Sequence, residues 1–264
     1  MRVSQIATER CTARIPTIRT RSQKGCKSRN TANFIGRSAT PRGDMRETTK
    51  STSKGPRILC YGDSLTAGYT VVSPYTREYE PWAPHLAIAL GVSVEHVGMS
   101  GWSTRQMLDY QHSSVGTDVC GEKHPGLGRL CHGGKFSTVI LMAGTNDLGE
   151  RSAEEIFDNL KALHEIAHAT GAKTVALSIP QSKATITGPK IVVERRERVN
   201  SLLAAYAQDN ANCVYLPMDV EIPWSEGSPN WEADGLHMTK CGYEELARRL
   251  APRLRESSAH MSAH

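Results

Sequence analysis

Ser64 stands where a short apolar run, Arg57-Ile58-Leu59-Cys60-Tyr61, gives way to Gly62-Asp63-Ser64-Leu65-Thr66-Ala67-Gly68. A buried strand that ends in such a turn and feeds a helix leaves the serine at the exposed end of a sheet. Its N–H then lies beside a helix N-terminus. Both features suit a nucleophile whose attack creates a negatively charged oxygen. The same residues suit an ordinary N-cap, because Ser and Asp side chains commonly bond the first N–H groups of a helix. The tetrapeptide alone does not separate the two.

A hydroxyl that attacks at neutral pH needs a base, normally histidine, and that histidine needs an acceptor to fix its tautomer. Asp234-Gly235-Leu236-His237 supplies both, three residues apart, in a turn before the last helical segment. The oxyanion formed on attack needs donors. Asn146 follows the apolar run Val139–Ala143 in Gly144-Thr145-Asn146-Asp147, and Gly101 ends another run in Val97-Gly98-Met99-Ser100-Gly101-Trp102. One such donor contributes about 2.7–4 kcal/mol of transition-state stabilisation. Either segment by itself reads equally well as a turn.

These residues need a scaffold. Five short runs, apolar or β-branched on both faces, are predicted strands: Ile58–Tyr61, Val94–Val97, Thr138–Ala143, Thr174–Ile179 and Cys213–Leu216. Helical material separates them, which is the pattern of βαβ units and a parallel sheet covered on both sides. Ala153–Thr170 predicts a helix opened by a Ser152/Glu155 capping box and ended at Gly171. Another runs through Val192, Val199, Leu202, Leu203 and Tyr206. A last one begins near Thr239 with Tyr243, Leu246, Leu250 and Leu254 on one stripe, and Pro252 is expected to kink or fray it.

In order along the chain, Gly62-Asp63-Ser64-Leu65, Gly101 in Ser-Gly-Trp-Ser-Thr, Gly144-Thr145-Asn146-Asp147 and Asp234-x-x-His237 resemble the blocks of the GDSL esterases/lipases, or SGNH hydrolases. The resemblance covers about residues 56–255. It implies a flavodoxin-like, three-layer α/β/α sandwich with a central parallel sheet of about five strands. It implies Ser64 as nucleophile, His237 as general base and Asp234 as its orienting acid. The implied oxyanion hole comprises the N–H groups of Ser64 and Gly101 and the side-chain amide of Asn146. No metal and no organic cofactor is called for.

The implied activity is hydrolysis of carboxylic esters by acyl transfer through the serine. Lysophospholipids, thioesters and acetylated sugars are alternative substrates within the same resemblance. Short connections after Asn146, without a long apolar lid, favour small esters with short acyl chains. Trp82 and Trp102, near Ser64 and Gly101 in sequence, are candidates for an acyl or sugar pocket, and core or rim packing accounts for them equally well. A binding module with a basic interaction tail is the non-enzymatic alternative.

Charge divides the chain. The net charge is +5, but residues 1–57 hold 14 Lys/Arg against three acids, leaving 18 Lys/Arg and 24 acids in the rest. The body is therefore mildly acidic and lacks the basic face of a nucleic-acid binder. Residues 1–54, rich in Arg, Lys, Ser and Thr, are expected to be disordered. They resemble an organellar transit peptide; a solvated tail, an extension upstream of Met45 and a basic arm are the alternatives. The expected domain is 55–256, followed by a disordered tail, 257–264. No apolar run approaches the roughly 20 residues of a membrane span. The seven widely spaced cysteines point to a reducing compartment. The expected location is thus intracellular: mitochondrion or plastid if the tail is a targeting segment, cytoplasm otherwise. The expected partner is a small-molecule ester, and oligomeric state is not legible. The stretch 109–135 is long for a βα connection. Its Cys120, His124, Cys131 and His132 match no zinc spacing, and a Cys120–Cys131 disulfide stays open.

Overall fold

Each of the five apolar runs forms a strand of one parallel sheet in the computed structural model, which describes residues 55–73 and 76–261. The basic segment 1–54 lies outside the described residues. The chain enters β1 (Arg57–Gly62) and α1 (Ser64–Ala67), then a hairpin of β2 (Tyr69–Ser73) and β3 (Thr76–Tyr79). Next come α2 (Trp82–Leu90), β4 (Ser93–Gly98) and α3 (Thr104–Asp109). The long 109–135 stretch is not structureless. It folds into a small hairpin, β5 (Gly116–Thr117) and β6 (Lys123–His124), and a short helix, α4 (Leu127–Cys131). Cys120 and Cys131 carry free thiols. Then follow β7 (Thr138–Met142), α5 (Ala153–His168), β8 (Lys173–Leu177), α6 (Lys183–Thr187), α7 (Lys190–Gln208), β9 (Cys213–Leu216), α8 (Met218–Glu221) and α9 (Lys240–Met261).

The strand order is β4-β1-β7-β8-β9, with all neighbours parallel. Numbering only these five in chain order gives 2-1-3-4-5, the flavodoxin-like arrangement, whose ligand crevice lies where the order reverses, beside the first strand. Alternate residues on each strand feed opposite cores. Leu59, Tyr61, Val139, Leu141 and Ala176 pack against α3, α4, α5 and α7 through Met107, Leu127, Ile156, Leu160 and Val199. Ile58, Cys60, Ile140, Met142 and Val175 pack against the other layer through Leu65, Leu86, Met218, Leu246 and Leu250. Burial on both faces is why these strands read as continuous apolar runs. A fully buried side chain of this size contributes about 1.5–3 kcal/mol.

The capping box at Ser152 and Glu155 is present, and α5 ends two residues before the predicted Thr170. The last helix does not fray at Pro252: it runs through the proline and continues to Met261, so residues 257–261, expected to be disordered, are helical. Leu250, Ala251 and Leu254 are buried on either side of the proline and hold both halves of the helix to the sheet. Ser257 extends it by donating its hydroxyl to the Arg253 carbonyl at 2.8 Å.

Candidate active site

Three strand ends meet around Ser64. Gly62 closes β1 in register with Gly98 of β4 on one side and Met142 of β7 on the other. The fit excludes a larger residue, since a Cβ on Gly62 would lie 1.9 Å from the Met142 carbonyl oxygen. Asp63 then caps α1, its Oδ1 accepting the Leu65 N–H at 3.0 Å. The cap in this motif is Asp63, and Ser64 is the first helical residue. The Ser64 N–H belongs to the first-turn donors that a helix leaves without an intrahelical acceptor.

The Ser64 hydroxyl lies 2.9 Å from His237 Nε2. On the far side of that ring, Nδ1 lies 2.7 Å from Asp234 Oδ2. The Asp234-Gly235-Leu236-His237 turn is self-bracing, because Asp234 Oδ1 accepts the N–H groups of Leu236 at 2.9 Å and His237 at 3.0 Å. Burial pushes the Asp234 carboxyl up, but the hydrogen bond and charge of His237 and the two N–H donors outweigh it and hold it below the usual range. An ionised carboxylate only accepts hydrogen bonds. The His237 proton therefore sits on Nδ1, and Nε2 is left to accept from Ser64.

The two predicted oxyanion segments are joined to each other. The Asn146 side chain donates one N–H to the Trp102 carbonyl at 3.0 Å, and its amide retains a second N–H. Buried Asp147 accepts both the N–H and the hydroxyl of Thr104, at 3.0 and 2.9 Å, tying the turn after β7 to the start of α3. Burial raises its pKa against the pull of those donors. Gly101 adopts φ +74°, a left-handed conformation that favours glycine. Met99 donates to the Gly62 carbonyl at 2.8 Å, which seats the Gly101 turn beside the Ser64 turn.

Other side chains fall differently. Trp82 is fully buried in the core beneath α9, and Trp102 is 4% exposed with its indole N–H on the Thr117 carbonyl at 3.2 Å. Neither ring is open to a ligand, so of the two readings, pocket wall and core packing, the structure favours core packing for both. Conversely, Tyr69 was not singled out, and its ring lies 4.6 Å from that of His237. Tyr243 holds it by donating to the Tyr69 carbonyl at 2.9 Å. The clue was the run Tyr69-Thr70-Val71-Val72 followed by Ser73-Pro74, strand and turn residues directly after the helix. Among the described residues no group of His, Cys, Asp and Glu is arranged to hold a metal ion.

Residues 60–245 match the model of the GDSL-like lipase/acylhydrolase family. Solved structures similar in fold include a member of the lipolytic protein G-D-S-L family from Veillonella parvula, 21% identical, with a TM-score of 0.53 over 75% of this chain and 97% of that one. A lipase/acylhydrolase from Enterococcus faecalis is 20% identical, with a TM-score of 0.53 over 76% and 96%. The psychrotrophic esterase EstA from Pseudoalteromonas is 18% identical, with a TM-score of 0.54 over 76% and 98%. Among curated proteins no sequence match is found. The chain belongs to the GDSL-like lipase/acylhydrolase family, and its five-stranded α/β sandwich is the fold of those neighbours. It is a hydrolase of the esterase, lipase and acylhydrolase class.

Proposed function

We propose that the protein is a serine esterase that cleaves small carboxylic esters with short acyl chains. The observation that carries the reading is the unbroken line of hydrogen bonds from Asp234 through His237 to Ser64, at 2.7 and 2.9 Å. Ser64 Oγ attacks the ester carbonyl while His237 Nε2 takes its proton. The tetrahedral oxyanion is held by the N–H groups of Ser64 and Gly101 and the Asn146 amide. Collapse expels the alcohol, which leaves with the proton from His237. Water enters by the reverse route, with His237 again the base, and releases the acid and free Ser64. Asp234 holds the ring and stabilises the imidazolium in both halves.

The short-chain preference is supported by the segments that border the site among the described residues, which are two small hairpins and the turns at Gly101 and Asn146 rather than a long apolar helix. Ser64→Ala is expected to abolish hydrolysis of a short-chain aryl ester and to block covalent labelling by a serine-directed phosphonate. Retention of both would exclude Ser64 as the nucleophile. A panel of acyl lengths and leaving groups then tests the substrate: a rate that rises with chain length, or with a thioester or acetylated sugar, redirects the assignment within the family.

A further inference from the structure

We propose that Asp118 is a positioning residue that aims the Gly101 N–H, holding the Ser100 N–H itself and shaping the turn whose Val119 N–H holds the Ser100 carbonyl; this rests on the reading of Ser64, Gly101 and Asn146 as the oxyanion hole. Asp118 lies between β5 and β6, in the stretch to which the chemistry above assigns nothing. It is only 5% exposed. Its two carboxyl oxygens are divided between two tasks. Oδ1 accepts the N–H groups of Cys120 and Glu122, both at 2.9 Å, and so shapes its own turn. Oδ2 reaches across 18 residues to accept the Ser100 N–H at 3.0 Å.

The next residue completes the grip. Val119 donates its N–H to the Ser100 carbonyl at 3.2 Å. Ser100 is thus held at both its donor and its acceptor by consecutive residues of one turn. The Ser100 carbonyl and the Gly101 N–H belong to a single planar trans peptide, in which they point in opposite directions. Anchoring the carbonyl to Val119 therefore turns the Gly101 N–H away from the β5–β6 turn. The Val119 side chain backs this arrangement: a Cβ on Gly101 would lie 2.5 Å from Val119 Cγ2. The turn is itself fastened, through an Arg77 hydrogen bond of 2.8 Å to the Cys120 carbonyl, to the hairpin that carries Tyr69 against His237. Asp118 touches no reacting atom, and its effect passes through the backbone it holds.

Asp118→Asn keeps the shape but leaves one acceptor oxygen for three N–H donors, so either the turn or Ser100 loses its partner. Asp118→Ser is the second variant. Its hydroxyl can still accept the N–H two residues on, as serine does in turns, but is too short to reach Ser100. Both are assayed per active site, titrated with the phosphonate. In each, kcat per titrated site is expected to fall roughly 10- to 100-fold with KM changed less than about 2-fold, a smaller loss than deleting an oxyanion donor. The Ki of a trifluoromethyl ketone, whose adduct with a serine carries an oxyanion, should rise by the factor by which kcat/KM falls. Unchanged per-site kcat and ketone Ki in either folded variant overturn the proposal. So does a loss of titratable sites alone, which is what a merely structural Asp118 would give. The two readings fail separately: turnover and labelling retained by Ser64→Ala remove the underlying one, whereas a normal Asp118→Asn beside an inactive Ser64→Ala removes only this one.

Discussion

His237 and His164 sit at opposite edges of the same sheet, and their surroundings make them different chemical objects. At the carboxyl edge, the His237 side chain is 14% exposed and lies between a carboxylate and a hydroxyl. At the amino edge, His164 is 1% exposed, and its Nδ1 lies 2.8 Å from the Thr174 hydroxyl. That hydroxyl is also 2.9 Å from His168 Nε2. Thr174 has a single hydroxyl proton, so it can donate to at most one of the two rings. A neutral hydroxyl cannot offset the charge of an imidazolium as Asp234 can. Burial, with His168 adding a smaller push, drives the His164 pKa down to about 3. A histidine serves as a base when an acid faces its far nitrogen and substrate can reach the near one. Without both it is a polar core residue.

Replacing each histidine in turn is the strongest test of this contrast. His237→Ala is expected to lower kcat roughly 10,000-fold or more. His164→Gln should leave kcat per titrated site unchanged and instead lower the urea midpoint of unfolding. Similar losses of kcat in both variants would mean that neither surroundings nor access explains the division. Asp234→Asn comes next. An amide at this position no longer enforces the Nδ1–H tautomer, and about 10,000-fold of kcat is expected to go, with the phosphonate titre falling only in rate. A kcat within about 10-fold of the parent would leave Asp234 as a brace for its own turn and no more.

The carboxyl-edge site was largely legible because its residues occupy turns at the ends of strands that are buried on both faces. Such strands appear as unbroken apolar runs, so Ser64, Gly101 and Asn146 could each be assigned to a strand end before any contact was known. The Asp234–His237 spacing was legible for a related reason: a four-residue turn is local. Non-local contacts were not. The β2–β3 and β5–β6 hairpins have short strands with exposed residues, such as Thr76, Arg77 and Glu78, and bury too little apolar surface to leave a pattern. Tyr69 and Asp118 were missed with them. Trp82 and Trp102 failed differently, since proximity in sequence to Ser64 and Gly101 says nothing about which way a large ring faces. At the amino edge, His164 and His168 lie on a helix correctly located, but only the fold brings Thr174 between them. Pro252 does not fray its helix, because its local cost, about 3 kcal/mol in a helix interior, is set against the buried residues on either side of it.

His164 and Asp63, a buried group at each edge, respond to pH in opposite directions. Burial pushes the Asp63 carboxyl up to about 7, opposed by the Leu65 N–H and the charge of His237. Its Oδ2 is buried without a partner, so the neutral form is favoured in the folded state. The unfolded chain then releases its proton near pH 4 while the folded chain keeps it to about 7. Stability from this group is complete at low pH and falls as pH rises through that window, by about 1.4 kcal/mol per unit. His164 runs the other way. Its folded pKa of about 3 lies below its ordinary value of 6.5, so the unfolded chain binds the extra proton, and stability is lost as pH falls from 6.5 to 3. Between about pH 4 and 6.5 the two slopes oppose each other and largely cancel in the native protein. Removing either should uncover the other. Relative to the parent, Asp63→Asn is expected to gain stability steadily as pH rises from 4 to 7, since the amide oxygen still accepts from Leu65 and no proton is lost. His164→Gln is expected to lose ground to the parent as pH rises from 3 to 6.5. Urea unfolding at half-unit pH steps measures both difference curves, and a flat curve for either variant would mean that its group binds protons alike in the folded and unfolded chains.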